Sequence, residues 1–457
     1  MSGISPSKNY SVKVNEIESF TYEVKGWGDY GYGDFNSWET VSWTSFTIPK
    51  ESKSVTVEIT ADLKTIKSAV IRPLSKGIVP IVKGNKLTLE IDSPCKISVE
   101  IDGKYETDKL FIFADEPEIN PPRKDDSSVT CIEPGAYEMK KIGPGVIFFD
   151  AGVYNLPENI EIASNTTLYF ARGSFVNGTF RGKNLKNVKF TGRGILCGTG
   201  FEHRDGAGLI KIGASDSVIE GITLLDSPGW NIAIGASRKK EAKAANNVIN
   251  NIKIIGMRLN ADGIGASGIG VEISDIFVFS YDDAIDVGQG IYDATISNCV
   301  LYMRKASALK ISWNSYGCGN VRVKDITVIH YDTDSDYMEN ECVIFANHST
   351  PGTVRDILME NITVEAMNGK NKRFLGMWIR TSQWDPEPDL FGNIREITFR
   401  NLNVMCQTYG NHICGLDSEH TIENIKFENL TIKGKHINSA EEADIYLNEF
   451  AGGVSFG

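Results

Sequence analysis

A short pattern recurs through the C-terminal part of the chain: apolar, any residue, Asn/Asp/Gly, apolar, any residue, apolar. Taking the residue after the Asn/Asp/Gly as the anchor, it falls at Val188, Ile222, Ile252, Ile276, Cys299, Ile326, Ile362, Leu402 and Leu430. The residues just before the anchors are Asn187, Gly221, Asn251, Asp275, Asn298, Asp325, Asn361, Asn401 and Asn429. Successive anchors are 34, 30, 24, 23, 27, 36, 40 and 28 residues apart. A corner of fixed shape at irregular steps describes a solenoid with variable loops. The units are rich in Val, Ile, Thr and Phe at period two, which favours strands over helices. Asn, Asp and Gly tolerate the left-handed backbone that a sharp bend between strands needs. Stacked from coil to coil, their side chains can also bond one another in a ladder. These features predict a right-handed parallel β-helix. At a strand spacing of about 4.8 Å, nine stacked anchors span roughly 40 Å and offer a long groove suited to a polymer.

The N-terminal part reads differently. Residues 1 to about 114 contain alternating runs such as Ser11–Val14, Ser54–Ile59 and Lys96–Ile101, the signature of half-buried antiparallel strands. Between them lies a glycine and aromatic segment, Gly26–Phe35, which fits either a sugar contact or the closing loop of a sandwich. The stretch Asp115–Asp126 is charged, bears prolines and lacks periodicity, so it reads as a linker. The expected organisation is all-β: a β-sandwich domain plus linker over 1–125 and a β-helix catalytic domain over 126–457.

Composition narrows the partners. The chain has 59 acidic against 47 basic residues, a net charge of −12, which disfavours nucleic acid and other polyanions. No run of about 18 apolar residues occurs, so no membrane span is expected. The first residues, Met1–Tyr10, have no apolar core of a secretory signal. The expectation is a cytoplasmic protein, or a secreted one given in mature form. The eight cysteines show no metal-type spacing, and Cys299 sits at an anchor, where a small buried hydrophobe belongs. No metal and no cofactor are expected. Asn361 and Asn429 head Asn-x-Thr triplets, but as bend positions they read as structural, not as glycosylation sites.

The chemistry concentrates in Asn260–Gly288. Asp262 precedes Asp282 by 20 residues and Asp283 by 21, about one turn of the repeat, so the three acids should meet on adjacent coils. Acids so placed repel as anions, which raises at least one pKa and keeps a proton available near neutrality, and their titrations are coupled. If Ile285 and Val287 point inward, alternation sends Asp286 outward, toward a sugar hydroxyl or solvent.

The segments Gly192–Leu196, Ile219–Trp230, Asn260–Gly263 and Asp282–Ile285 together resemble the polygalacturonase clan of β-helix hydrolases, related to glycoside hydrolase family 28. The β-rich domain ahead of the helix, Ser312-Trp313 and Asn320–His330 resemble, within that clan, glycoside hydrolase family 49, the dextranase and isopullulanase family. The resemblance covers roughly residues 145 to 435 and implies glycoside hydrolysis with inversion. It makes Asp282 the general acid, with Asp262 and Asp283 holding and deprotonating the water. Pectinases of the clan carry a His-Gly motif on the coil after the aspartate pair; here that region reads Lys305-Ala306-Ser307-Ala308-Leu309-Lys310. Their pair of basic residues for a uronate is matched only in part by Trp378-Ile379-Arg380-Thr381. Both departures favour a neutral α-glucan. The expected substrate contacts are Asp286, Tyr281, Lys310, Trp313, Tyr316, Trp378, Arg380 and Trp384. Trp230, after Ser-Pro-Gly, fits a subsite or the filling of a coil end, and His330 fits a structural hydrogen bonder.

The partner expected is thus a poly- or oligosaccharide. A polygalacturonase-like activity on uronate glycans is one alternative. Another is a polysaccharide lyase or epimerase, for which Arg304, Lys305, Lys310 and Arg380 would supply cations. A non-catalytic carbohydrate-binding rod would leave the grouping of Asp262, Asp282 and Asp283 unexplained.

Overall fold

The computed structural model describes residues 5–26, 39–204, 206–235, 244–288, 290–313, 316–333, 341–382 and 390–457. Residues 27–35 of the aromatic segment and Trp384 lie outside these. The chain divides into two compact units, Met1–Pro121 and Pro122–Gly457.

The first unit has two sheets. One has six strands, in the order Ser5–Pro6, Tyr22–Lys25, Thr40–Thr47, Asp108–Asp115, Cys95–Ile101 and Ala69–Arg72; the other has five, centred on Val55–Ala61. Alternation puts Val57, Ile59, Leu87 and Leu89 from the smaller sheet into one core with Ile97, Val99, Leu110 and Ile112 from the larger. Two sheets closing on a shared apolar layer make this a β-sandwich.

The second unit is a right-handed parallel β-helix. Two stacks of parallel strands wrap one continuous core, a 22-stranded sheet and a 12-stranded sheet among the described residues. The anchors of the repeat stack on one another: Ile276 pairs with Cys299, Cys299 with Ile326, Ile326 with Ile362, Ile362 with Leu402, and Leu402 with Leu430. All nine residues before the anchors have positive φ, from 53° at Asn187 to 84° at Gly221. The side-chain ladder forms as well. Asn361 donates to Asp325 at 2.9 Å, Asn401 to Asn361 at 2.9 Å and Asn429 to Asn401 at 3.0 Å. Each amide thus holds the bend of the coil before it. The loop lengths between anchors vary without disturbing this alignment.

The 12-stranded sheet positions the chemistry. Along its outer face the paired residues run Lys141, Glu161, Arg181, Lys211, Ala233 and Gly265, then Asp286, Lys310, Phe345, Gly376, His412 and Tyr446. Their sequence neighbours, among them Ile232, Ile264, Ile285 and Leu309, point into the core. Crossing from Lys141 to Tyr446, this row passes from charged to small, then to an acid and base pair, then to largely aromatic residues.

Candidate active site

The acids meet at the entry to the middle strands of this sheet. Ile264 pairs with Ile285, and Ile285 with Leu309. Two residues earlier on each strand, Asp262, Asp283 and Ser307 therefore stack on successive coils. The backbone confirms the alignment, since Gly263 N–H donates to the Asp283 carbonyl at 2.8 Å and Ala284 N–H to that of Ser307 at 2.9 Å. The glycine of the Asp-Gly pair is required here: a Cβ on Gly263 would lie 2.3 Å from the Ala284 carbonyl oxygen. Asn231 fixes the turn from the coil before, its amide donating to the carbonyls of Ala261 and Asp262, each at 3.1 Å.

Asp262, Asp282 and Asp283 each bring a carboxyl oxygen within 4.8 Å of the others. Lys310 enters this group from the next coil. Its ammonium donates to Asp283 Oδ2 at 2.7 Å and to Asp262 Oδ2 at 3.3 Å, and it pairs with Asp286 Oδ1 at 2.8 Å. Asp286 does point out of the coil as alternation requires, but it is 2% exposed against Lys310 and does not face solvent. The other oxygen of Asp283 accepts from both the N–H of Ser307, at 2.9 Å, and its hydroxyl, at 2.5 Å.

Asp282 is held differently. Its oxygens accept backbone N–H bonds from Asn260 at 2.9 Å and Asp283 at 2.8 Å, and no ion pair reaches it among the described residues. Burial first, then the charge of Asp283, push its carboxyl up to about 6; the two N–H bonds and the Lys310 charge pull the other way. Burial also raises Asp262 well above the ordinary carboxylate range, opposed by Lys310 and reinforced by Asp282, Asp283 and Asp286. The group as a whole therefore retains a proton where isolated aspartates would not.

The aromatic expectations divide. Trp313 lies near the acids, with Lys310 Nζ 5.7 Å from its ring centre and its own Nε1 donating to Ser382 at 2.6 Å. Trp378 packs with Trp313, Phe345 and Cys342 in an apolar cluster, and Arg380 lies against it, 4.5 Å from the ring centre. Tyr281 is edge-on to Phe279 at 6.0 Å. Tyr281, Trp313 and Trp378 are all buried, so none is an open stacking surface. Tyr316 is exposed. His330 is buried and its Nδ1 contacts Asn368 at 2.9 Å, a structural contact.

Three further residues belong to the site. Ser307 clamps Asp283 from a backbone that starts at Ala306, an alanine with φ of 61°. Glu341, 1% exposed, accepts from the Thr333 hydroxyl and from the Ala306 backbone. Burial pushes its carboxyl up to about 7, against the Thr333 hydrogen bond and the Lys305 charge, with Asp282 adding to the rise. Trp230 is half-buried, and Lys310 Nζ lies 5.3 Å from its ring centre. Trp230 is marked in the sequence by its place after Ser-Pro-Gly, and Ser307 has a signal of its own, which Glu341 lacks. Ser307 stands two residues before Leu309, the offset at which Asp262 and Asp283 precede Ile264 and Ile285.

The fold has a solved counterpart. Dex49A from Penicillium minioluteum matches with a TM-score of 0.80 at 17% identity, over 100% of this chain and 95% of that one. Two other matches are more remote. A polygalacturonase from Erwinia carotovora ssp. carotovora reaches a TM-score of 0.49 at 13% identity, over 75% of this chain and 100% of its own. The catalytic domain of a GH87 alpha-1,3-glucanase in complex with nigerose gives 0.45 at 11% identity, over 99% and 88%. No protein-family profile and no curated sequence matches the chain. At these identities the likeness is one of fold.

Proposed function

We propose that the chain hydrolyses glycosidic bonds of a neutral poly- or oligosaccharide with inversion. Asp282 is the general acid, and Asp262 and Asp283 position and deprotonate the attacking water. The observation that carries this reading is the meeting of three carboxyls within 4.8 Å, two of them held by one ammonium and the third free of it. With Asp286, four carboxylates cluster around Lys310, so the group sheds charge by keeping a proton. Lys310 hydrogen-bonds Asp262 and Asp283, whereas Asp282 is held by backbone N–H groups, which makes Asp282 the carboxyl placed to give up a proton to the leaving oxygen. A carboxyl with a value near 6 suits proton donation to a leaving oxygen at neutral pH.

Dex49A, whose fold matches over the whole chain, agrees with the resemblance to the dextranase and isopullulanase family read from the sequence. That supports an α-glucan as substrate. So does the charge of the site. A uronate would bring a further carboxylate beside four aspartates, three of which already share Lys310, and an uncompensated buried charge is costly. A lyase or epimerase would need a cation free for its substrate, and Lys310 is held by Asp262, Asp283 and Asp286.

One observation favours retention as a second reading. The carboxyl oxygens lie closer than the roughly 6.5–9.5 Å of two-carboxylate inverting enzymes and nearer the roughly 5–5.5 Å of retaining ones. Against it, both oxygens of Asp283 are engaged by Ser307 and Lys310, which suits a fixed base and handicaps a nucleophile. The test is a reducing-end screen on dextran, other neutral α-glucans, arabinan and polygalacturonate, followed by proton NMR of the first product on the best substrate. An inverted anomer from a neutral polymer is expected. A retained anomer refutes the mechanism, and faster cleavage of polygalacturonate refutes the substrate class.

A further inference from the structure

On the outer row of the 12-stranded sheet, Lys211, Ala233, Gly265 and Asp286 stand on successive strands. Ala233 and Gly265 carry no side chain beyond Cβ, so the row has a gap two strands wide, about 10 Å at normal strand spacing. One end of the gap is the Asp286 and Lys310 pair. Trp230 stands beside it. Gly208 pairs with Trp230, and Ile232 with Ile264, so Trp230 lies opposite Asp262 and extends the stack of Asp262, Asp283 and Ser307 by one coil. The Cζ3 edge of its indole rests on Gly265, where a Cβ would lie 2.2 Å from Cζ3 and 3.2 Å from Asp286 Oδ2. Trp230 and Ala233 are both partly exposed, whereas Tyr281, Trp313 and Trp378 are buried.

We infer that Trp230 walls a binding recess for one uncharged hexopyranose unit, on the side of the acids toward the N-terminal coils, with Ala233 as its floor and the indole edge seated on Gly265. The inference rests on the glycan-hydrolase reading and adds the place where the substrate is gripped. An indole offers a sugar a broad apolar surface at little entropic cost, and polar groups at one end fix orientation. Asp262, opposite Trp230 and backed by Lys310, supplies that polar end. The glycine at 265 is the condition for the arrangement, since any larger residue takes the space of the indole edge.

The experiment measures dextran binding by calorimetry in an Asp282→Asn background, so that turnover does not interfere. Trp230→Ala and Gly265→Ala should each weaken binding about tenfold or more. The double variant Trp230→Ala/Gly265→Ala should be no weaker than Trp230→Ala alone, because both changes act on one contact. Trp230→Phe should recover part of the affinity. Gly265→Ala should also lower Tm, and removing the Trp230 ring should restore it, which separates the clash from a general failure to fold. Additive losses in the double variant, or an unchanged Kd in Trp230→Ala, overturn the recess. Hydrolysis of dextran by the wild-type protein, lost in Asp282→Asn, would leave the hydrolase reading standing even then. A wild-type protein that releases no reducing ends from any neutral glycan overturns both.

Discussion

The Lys310 ammonium lies 2.7 Å from Asp283 Oδ2, and both side chains are only 3% exposed. A buried pair of this kind is strong in its local field and expensive to break, because the surviving partner keeps its desolvation cost. Asp262 and Asp286 share the same cation, so the loss of Lys310 would leave several acids uncompensated.

Lys310→Met is therefore expected to destabilise the protein by about 3–5 kcal/mol near neutral pH. The loss should shrink on acidification, since the abandoned carboxyls can then take up protons. Thermal melts of the variant and the wild type at pH 5 and pH 8 measure this. An equal Tm difference at both values would mean that Lys310 contributes packing and not charge.

Asp282→Asn keeps the shape of the side chain and can still accept the Asn260 and Asp283 N–H bonds, but it has no acidic proton to give. Turnover should fall by about two to four decades, with dextran affinity nearly unchanged. Initial rates and calorimetry on the same preparation decide it; a variant with more than half the wild-type turnover removes Asp282 from the acid role.

The pH dependence follows from the same group. Asp282 must be protonated to act, and its carboxyl is raised to about 6. The high-pH limb of kcat/KM should fall through that region, and Asp282→Glu should move the limb while keeping its sign. A profile flat from pH 5 to pH 8 would contradict the assignment.

Glu341 gives a stability test with a definite sign. Its carboxyl is raised from the ordinary 4.5 to about 7 in the folded protein, so between those values the folded state holds a proton that the unfolded state has released. Its contribution is complete below about 4.5 and is lost as pH rises through 7. Glu341→Gln, which never ionises, should escape that loss. The Tm of the variant relative to wild type should be higher at pH 8 than at pH 5; the reverse ordering would show that the ionised form is the stabilised one.

Much of this was legible in the sequence, because a β-helix writes its register into single residues. Asn361, Asn401 and Asn429 mark bends with positive φ, and the residues after them stack as expected. Asp262 and Asp283 followed from a step of one coil. Contacts that cross longer steps were not legible. Cys299 and Ile326 are 27 residues apart, and Ile326 and Ile362 are 36 apart, so nothing in the spacing places Glu341 behind Ala306. Lys310 was expected to reach the substrate, yet the reach of a lysine depends on which acids lie across the groove, and three of them hold it. Trp313 and Trp378 read as sugar platforms by residue type, but burial depends on neighbours such as Phe345 and Cys342 that come from other coils.

The anchors Ile326, Ile362 and Leu402 stay paired although 36 and 40 residues separate them. In this scaffold chain length and alignment are independent variables. A segment inserted between two anchors leaves the strands on either side of it paired as they were. The connections can therefore be redesigned by grafting or trimming one at a time, with the aspartates and Lys310 kept as a fixed chemical core.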